Sequence, residues 1–214
     1  MKVDSHLTGD WQKIPDHIKQ LESDGYDSAG TAEMNHDPFF PLLLAAEHSQ
    51  NIRVHTGIAV AFARSPMVLA NLGHDLNAYS KGRFTMGLGS QIRPHITKRF
   101  SMPWGAPAKQ MRELVTAMRA IWANWYEGEP LRFEGEYYTH SLMTPAFTPE
   151  NPLPETNFLH FSILVEEFSE LSTISWLRFL TCNSPFRLAL SSICNSPRQF
   201  MSVVVLDFLC IILI

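Results

Sequence analysis

Apolar and polar positions alternate from the first residues. In MKVDSHL, Val3, Ser5 and Leu7 alternate with Lys2, Asp4 and His6, which predicts a short strand over residues 1–7. The period then lengthens. Trp11, Ile14, Ile18 and Leu21 recur at helical spacing, with Asp10 at the N-cap position and Gly25 at the stop, so residues 10–22 read as a helix. Residues 26–33, YDSAGTAE, read as a second strand, and residues 39–48 as a helix with Pro38 and Pro41 at its start. RVHTGIAVA, residues 53–61, is a nearly continuous apolar run and reads as a strand buried on both faces. A helix opened by Pro66 and closed by Lys81-Gly82 follows over residues 67–79, then a fourth strand, FTMGLG, over residues 84–89. Residues 90–107 read as a long loop. Residues 108–125 read as a strong helix with Met111, Leu114, Val115, Met118, Ile121 and Trp122 on one face. Residues 128–138, GEPLRFEGEYY, read as a small hairpin or an extended excursion with aromatic pairing.

Four strands that each lead into a helix through short turns predict a parallel sheet, hence an α/β fold. Two architectures carry that order: part of an eight-fold β/α barrel, or a doubly wound sheet. The dinucleotide-binding form of the second places G-x-G-x-x-G after the first strand. HLTGDW does not supply it, and the GLG of residues 87–89 lacks the third glycine and comes too late in the chain. The pattern therefore favours an incomplete (β/α)8 barrel of about four βα units.

Composition changes the picture in the last third. All 11 glycines lie between Gly9 and Gly135, whereas the three cysteines, Cys182, Cys194 and Cys210, all lie near the end. Residues 153–214 are rich in Ser, Phe, Leu and Ile and hold no glycine, where ordinary usage would place roughly four. Two segments are expected, residues 1–152 as the β/α part and 153–214 as an atypical tail. The tail is either a different module or sequence from a shifted reading frame, the second being favoured, and it reads as an irregular or helical apolar stretch. LVEEFSELSTISWL could form a helix. SVVVLDFLCIILI is apolar but carries Asp207 and is about 13 residues long, short of the ~20 a membrane span needs. A formal net charge of -4 argues against a nucleic-acid partner, which requires a basic face. An odd cysteine count argues against a disulfide framework, and the start of the chain does not read as a secretory signal. A cytoplasmic protein with no membrane anchor is expected.

One long string carries a resemblance: IRVHTGIAVAFARSPMVLANLGHDLNAYSKGRFTMGLGSQIRPHITKRFSMPW, with the elements S-P-M-V-L-A, S-K-G-R-F and G-L-G-S in order. GYDSAGTAEMNHDPFFPLLLAAEHS, MRELVTAMRAIW and FEGEYYTHSLMTP support it. Over residues 1–152 the chain resembles the bacterial-luciferase-like monooxygenase superfamily, in its F420-dependent branch. The resemblance implies a (β/α)8 barrel that binds coenzyme F420, or alternatively FMN, at the C-terminal ends of its strands, where such barrels place their functional residues. It implies a small-molecule substrate and, as a possibility, a homodimer.

It also implies roles for particular residues. The third strand of the family often carries a non-proline cis peptide against the cofactor ring. Thr56-Gly57-Ile58 matches that place, and a plain trans strand is the other reading. Gly57 and Ile58, with Gly89, Ser90 and Gln91 after the fourth strand, are the expected cofactor-binding residues. Glu33 and His36 are the expected acid/base pair, although EMNHDPF departs from the more common paired-His form. His6 and His95 are expected to contact substrate, with a structural role or a solvated loop as the plainer readings. No metal is expected, since D-S-H-L lacks the H-x-H pair of a metal-dependent hydrolase barrel. Such a barrel needs about 250 residues, so a truncated, weakly active or inactive chain is expected. A non-catalytic fragment that acts only by association with another chain is the alternative.

Overall fold

The computed structural model describes residues 2–150. The expected boundary at 152/153 and both tail segments lie outside the described residues. Within them, four strand-helix units follow one another. Strand β1 is Asp4–His6, β2 Ser28–Thr31, β3 Arg53–Thr56 and β5 Phe84–Thr85, and they hydrogen-bond in the order β1-β2-β3-β5, all parallel. Two strand positions continue past a break. Ala59–Val60 (β4) follows β3, Leu88–Gly89 (β6) follows β5, and β4 pairs with β6, again parallel. Helices α1 (Ile14–Ser23), α2 (Phe39–Glu47), α3 (Pro66–Tyr79) and α4 (Pro107–Glu127) come in between and after. An antiparallel pair, β7 (Phe133–Glu134) with β8 (Thr139–His140), forms a hairpin whose second strand lies past the end of the expected segment 128–138.

Strand order separates the two candidate architectures. A doubly wound sheet reverses its strand order and carries helices on both faces. Here each strand lies beside its predecessor, and successive helices pack side by side, α1 on α2, α2 on α3 and α3 on α4. That is the winding of a β/α barrel wall. The register shows the two faces. Ala29, Val54 and Phe84 align across the sheet, are buried, and meet Ile14 and Ile18 of α1, Leu42 and Ala45 of α2 and Leu69 of α3 in one core. The opposite face carries His6, Gly30, His55 and Thr85 in line, and His6, His55 and Thr85 retain solvent exposure. The third strand is therefore not buried on both faces as its apolar run suggested. Val54 faces the helices, whereas Arg53 and His55 face the open side.

Local signals hold closely. The Asp10 carboxylate accepts from the Gln12 amide, Ser65 caps α3 ahead of Pro66, and Gly128 ends α4 in the left-handed conformation. All six expected apolar residues of α4 are buried. Trp11 is a correction. It sits in a 3-10 turn ahead of α1 and is 38% exposed, because the helix proper starts only at Ile14. Residues 90–107 are not all loop, since His95–Arg99 form a π-helical turn that buries Ile96. No helix among the described residues is long and apolar enough to cross a membrane.

Candidate functional site

The C-terminal ends of the strands form a rim, and its geometry starts from the two strand breaks. Between β3 and β4 the Gly57–Ile58 peptide is cis, the form the resemblance implied. Between β5 and β6 the chain turns at Met86-Gly87. Thr56 joins the two breaks: its hydroxyl donates to the Gly87 carbonyl (2.7 Å) and accepts from the Gly87 amide (2.8 Å). A side chain thus stands in for the ladder bonds that the breaks interrupt. The backbones approach so closely that a Cβ on Gly87 would lie 2.1 Å from the Thr56 carbonyl oxygen. On the other side, the Gly57 amide donates to the Thr31 carbonyl and the Glu33 amide to the Ile58 carbonyl (3.0 Å). Strand β2 is in this way tied to the same shelf.

Ile58 lies against Gly89, where a Cβ would come within 2.7 Å of its Cδ1. Ser90, itself buried, follows directly, with its hydroxyl 3.3 Å from the Gln91 carbonyl. Gln91 takes a positive φ of 58°, and its side-chain oxygen accepts from the Ile92 amide. Gly57, Ile58, Gly89, Ser90 and Gln91 are therefore brought together on one rim. Gly57 and Gly89 put no side chain of their own on the rim, and the Ile58 side chain fills the space beside Gly89, so the face presented here is apolar, which fits the isoalloxazine or deazaflavin part of the implied cofactors.

Glu33 joins this cluster through its carboxylate. Oε2 accepts from the Val60 amide (2.7 Å) and from Arg64 (2.7 Å), and Oε1 accepts from the other Arg64 nitrogen (3.1 Å). Both oxygens are engaged and the side chain is 6% exposed. Arg64 also reaches Asp37 (3.0 Å), whose other oxygen caps the start of α2 at the Phe39 amide. Burial works against the Arg64 charge, but the two carboxylates outweigh it and raise its pKa. His36 does not join them. Its ring stands edge-on to Trp11 at 5.7 Å and is exposed, so Glu33 and His36 are not a hydrogen-bonded pair.

His6 is on the open face of the sheet, with β2 between it and His55, whose ring lies over Gly30. His55 is held below its ordinary pKa, chiefly by burial and further by the neighbouring His6 and Arg53, with Asp4 opposing. His95 opens the π-helical turn and is exposed. That turn closes part of the rim: Arg99 donates to the Met34 carbonyl (2.9 Å), and Trp104 packs edge-on to Phe62 at 5.8 Å.

Arg64 and His55 were missed in the sequence, as was the bonding of Thr56 to Gly87. Arg64 lay hidden in the apolar string AFARSP, yet a buried arginine requires carboxylates, and EMNHD supplies two. The period-2 pattern R-V-H-T, which puts Arg53 and His55 on one face, was there to be read.

A sequence model of luciferase-like monooxygenases matches residues 2–158. The chain belongs to the luciferase-like monooxygenase family. Among its relatives is an uncharacterized protein of Mycobacterium tuberculosis (strain H37Rv), 57% identical over 155 residues, a match that covers 72% of this chain and 46% of that protein. The chain thus spans about half the length of the curated luciferase-like relatives it matches. Solved structures of the same fold include the monooxygenase RslO1 from Streptomyces bottropensis (TM-score 0.63, 20% identity, 77% of this chain and 53% of that one). Two more are the FMN complex of the oxygenating constituent of 3,6-diketocamphane monooxygenase from Pseudomonas putida (0.57, 18%, 67% and 45%) and the coenzyme F420-dependent tetrahydromethanopterin reductase of Methanopyrus kandleri (0.54, 22%, 66% and 44%). One of these luciferase-like neighbours is thus described with FMN and the other with F420.

Proposed function

We propose that the described residues form the strand-tip part of an oxidoreductase site of the luciferase-like monooxygenase type, with F420 as cofactor and FMN as the alternative. One observation carries this reading. In a chain of this family, Gly57, Ile58, Gly89 and Ser90 converge at the C-terminal ends of adjacent parallel strands, the place where β/α barrels build their sites. When bound, reduced F420 supplies a hydride to a substrate, or a reduced flavin supplies electrons to oxygen. The residues of this chain hold the ring and exclude water. Ile58, closed over Gly89, gives an apolar seat, and Ser90 and Gln91 offer polar atoms at its margin. Of the two groups assigned to proton handling, His36 presents an exposed imidazole, while the oxygens of Glu33 are already engaged by Arg64 and Val60. His6 and His95, both exposed, are the proposed substrate contacts.

The test is a fluorescence titration of the purified chain with F420 and, separately, with FMN. Saturable binding at micromolar concentration, weakened by Gly89→Val, is the expected result. A titration flat for both cofactors would remove the proposal.

A further inference from the structure

We infer that Arg64 is a positioning residue that, acting through Glu33, fixes the backbone of residues 58–60 and so shapes the seat of the cofactor ring. This rests on the proposed function and moves Glu33 from proton handling to support. The geometry is specific. The guanidinium meets the Glu33 carboxylate side-on, one nitrogen to each oxygen at 2.7 and 3.1 Å. The first nitrogen also donates to the Val60 carbonyl (3.1 Å), and Glu33 accepts from the Val60 amide (2.7 Å). The Glu33 amide holds the Ile58 carbonyl (3.0 Å). Both backbone polar groups of Val60 therefore end on the two charged side chains, and the Ile58 carbonyl ends on the main chain of Glu33. The Ala59 amide between them ends on the Gly87 carbonyl (2.9 Å).

What the pair fixes is the residue that meets Gly89. Ile58 sits between two anchored positions, and its side chain is the one set against the Gly89 edge. The pair is itself anchored. Asp37 takes the other guanidinium nitrogen, and the Phe39 ring lies 5.3 Å from the guanidinium carbon, so the start of α2 braces the cation. Side chains 14% exposed for Arg64 and 6% for Glu33 keep water from competing. A planar fork is required here, because an ammonium group cannot span two carboxylate oxygens, a second carboxylate and a carbonyl in these directions. A general base needs an oxygen free to face the substrate, and both Glu33 oxygens are in use.

The experiment uses the full chain and the variants Arg64→Lys and Glu33→Gln, the second keeping the side-chain shape. Amide hydrogen exchange in the absence of cofactor gives the first readout. Protection at Val60 should fall at least tenfold in both variants while the amides of α4 keep theirs. Titration with F420 and FMN gives the second. The dissociation constant for whichever cofactor the unmodified chain binds should rise about tenfold at an equal folded fraction. Unchanged protection at Val60, or equal losses at Val60 and in α4, would overturn the inference. So would unchanged affinity combined with lost turnover in Glu33→Gln, the signature of a proton handler. If the unmodified chain binds neither cofactor, the proposed function fails, and the exchange result alone decides whether Arg64 holds the segment.

Discussion

The two ends of the parallel strands are built on different principles. At the N-terminal end, charged side chains bind backbone. Arg83 donates to the carbonyls of Ala46, Ser49, Ile52 and Ser80 and to the Ser49 hydroxyl. Glu22 accepts from the amides of Gln50, Asn51 and Ile52. Each of these charges satisfies polar groups that the end of α2 and its turn into β3 would otherwise leave open. At the C-terminal end, Glu33, Arg64 and Asp37 pair with one another besides holding the Val60 backbone, and Gly57 and Gly89 beyond them put no side chain of their own on the rim. The first arrangement closes the fold. The second shapes a surface, as expected where a β/α barrel separates its stabilising end from its functional end.

Substitutions at the two ends should separate stability from binding. The largest effect is expected for Arg83→Met, which leaves several carbonyls without a donor. Denaturant melts should show a loss of at least about 3 kcal/mol, with cofactor affinity unchanged per folded molecule. Equal loss at both readouts would break the contrast. Next is Glu22. Burial opposes its ionisation, but the three amides and Arg83 outweigh this and pull its pKa below the ordinary carboxylate value. Its contribution is therefore complete above the unfolded-state pKa and disappears as the pH falls through the lowered folded value. Glu22→Gln should cost about 1–2 kcal/mol at pH 7, and the melts of variant and parent should draw together as the pH falls from the ordinary carboxylate range through that lowered value. A gap that stays constant over the same acidification would refute the assignment.

At the opposite end, Gly89→Ala places a methyl group within 3.0 Å of both Cδ1 and Cγ1 of Ile58, so that side chain must turn aside. It should cost about 1–2 kcal/mol of stability by overpacking while weakening cofactor binding per folded molecule roughly tenfold, equivalent to about 1.4 kcal/mol. His36→Ala is the smallest case. Its exposed ring loses one edge contact with Trp11, so melting should shift by no more than about 0.5 kcal/mol. A larger shift would mean that the residue serves the fold.

The elements were legible because their signals are local. Capping at Asp10, the stop at Gly25 and the helical stripe of α4 depend on neighbours within a turn or two, and all appear where the sequence puts them. The rim was legible in part. The Gly57-Ile58 and Gly89-Ser90 segments could be placed through resemblance, but their contact depends on Thr56 bonding Gly87, 31 residues away. The Glu33–Arg64 pair, also 31 residues apart, escaped for the same reason. Nothing along the chain marks which carboxylate an arginine will choose. The face of β3 was misjudged because a run of apolar residues hid the alternation of Arg53 and His55.

Amide chemical-shift mapping tests the central claim most directly. The isotopically labelled chain is titrated with F420, then with FMN, and each backbone amide is followed. Saturable shifts grouped at Ile58, Gly89, Ser90 and Gln91, with Arg83 and its neighbours undisturbed, are the predicted result. Shifts that spare those four amides, or gather at the opposite end of the strands, would contradict it.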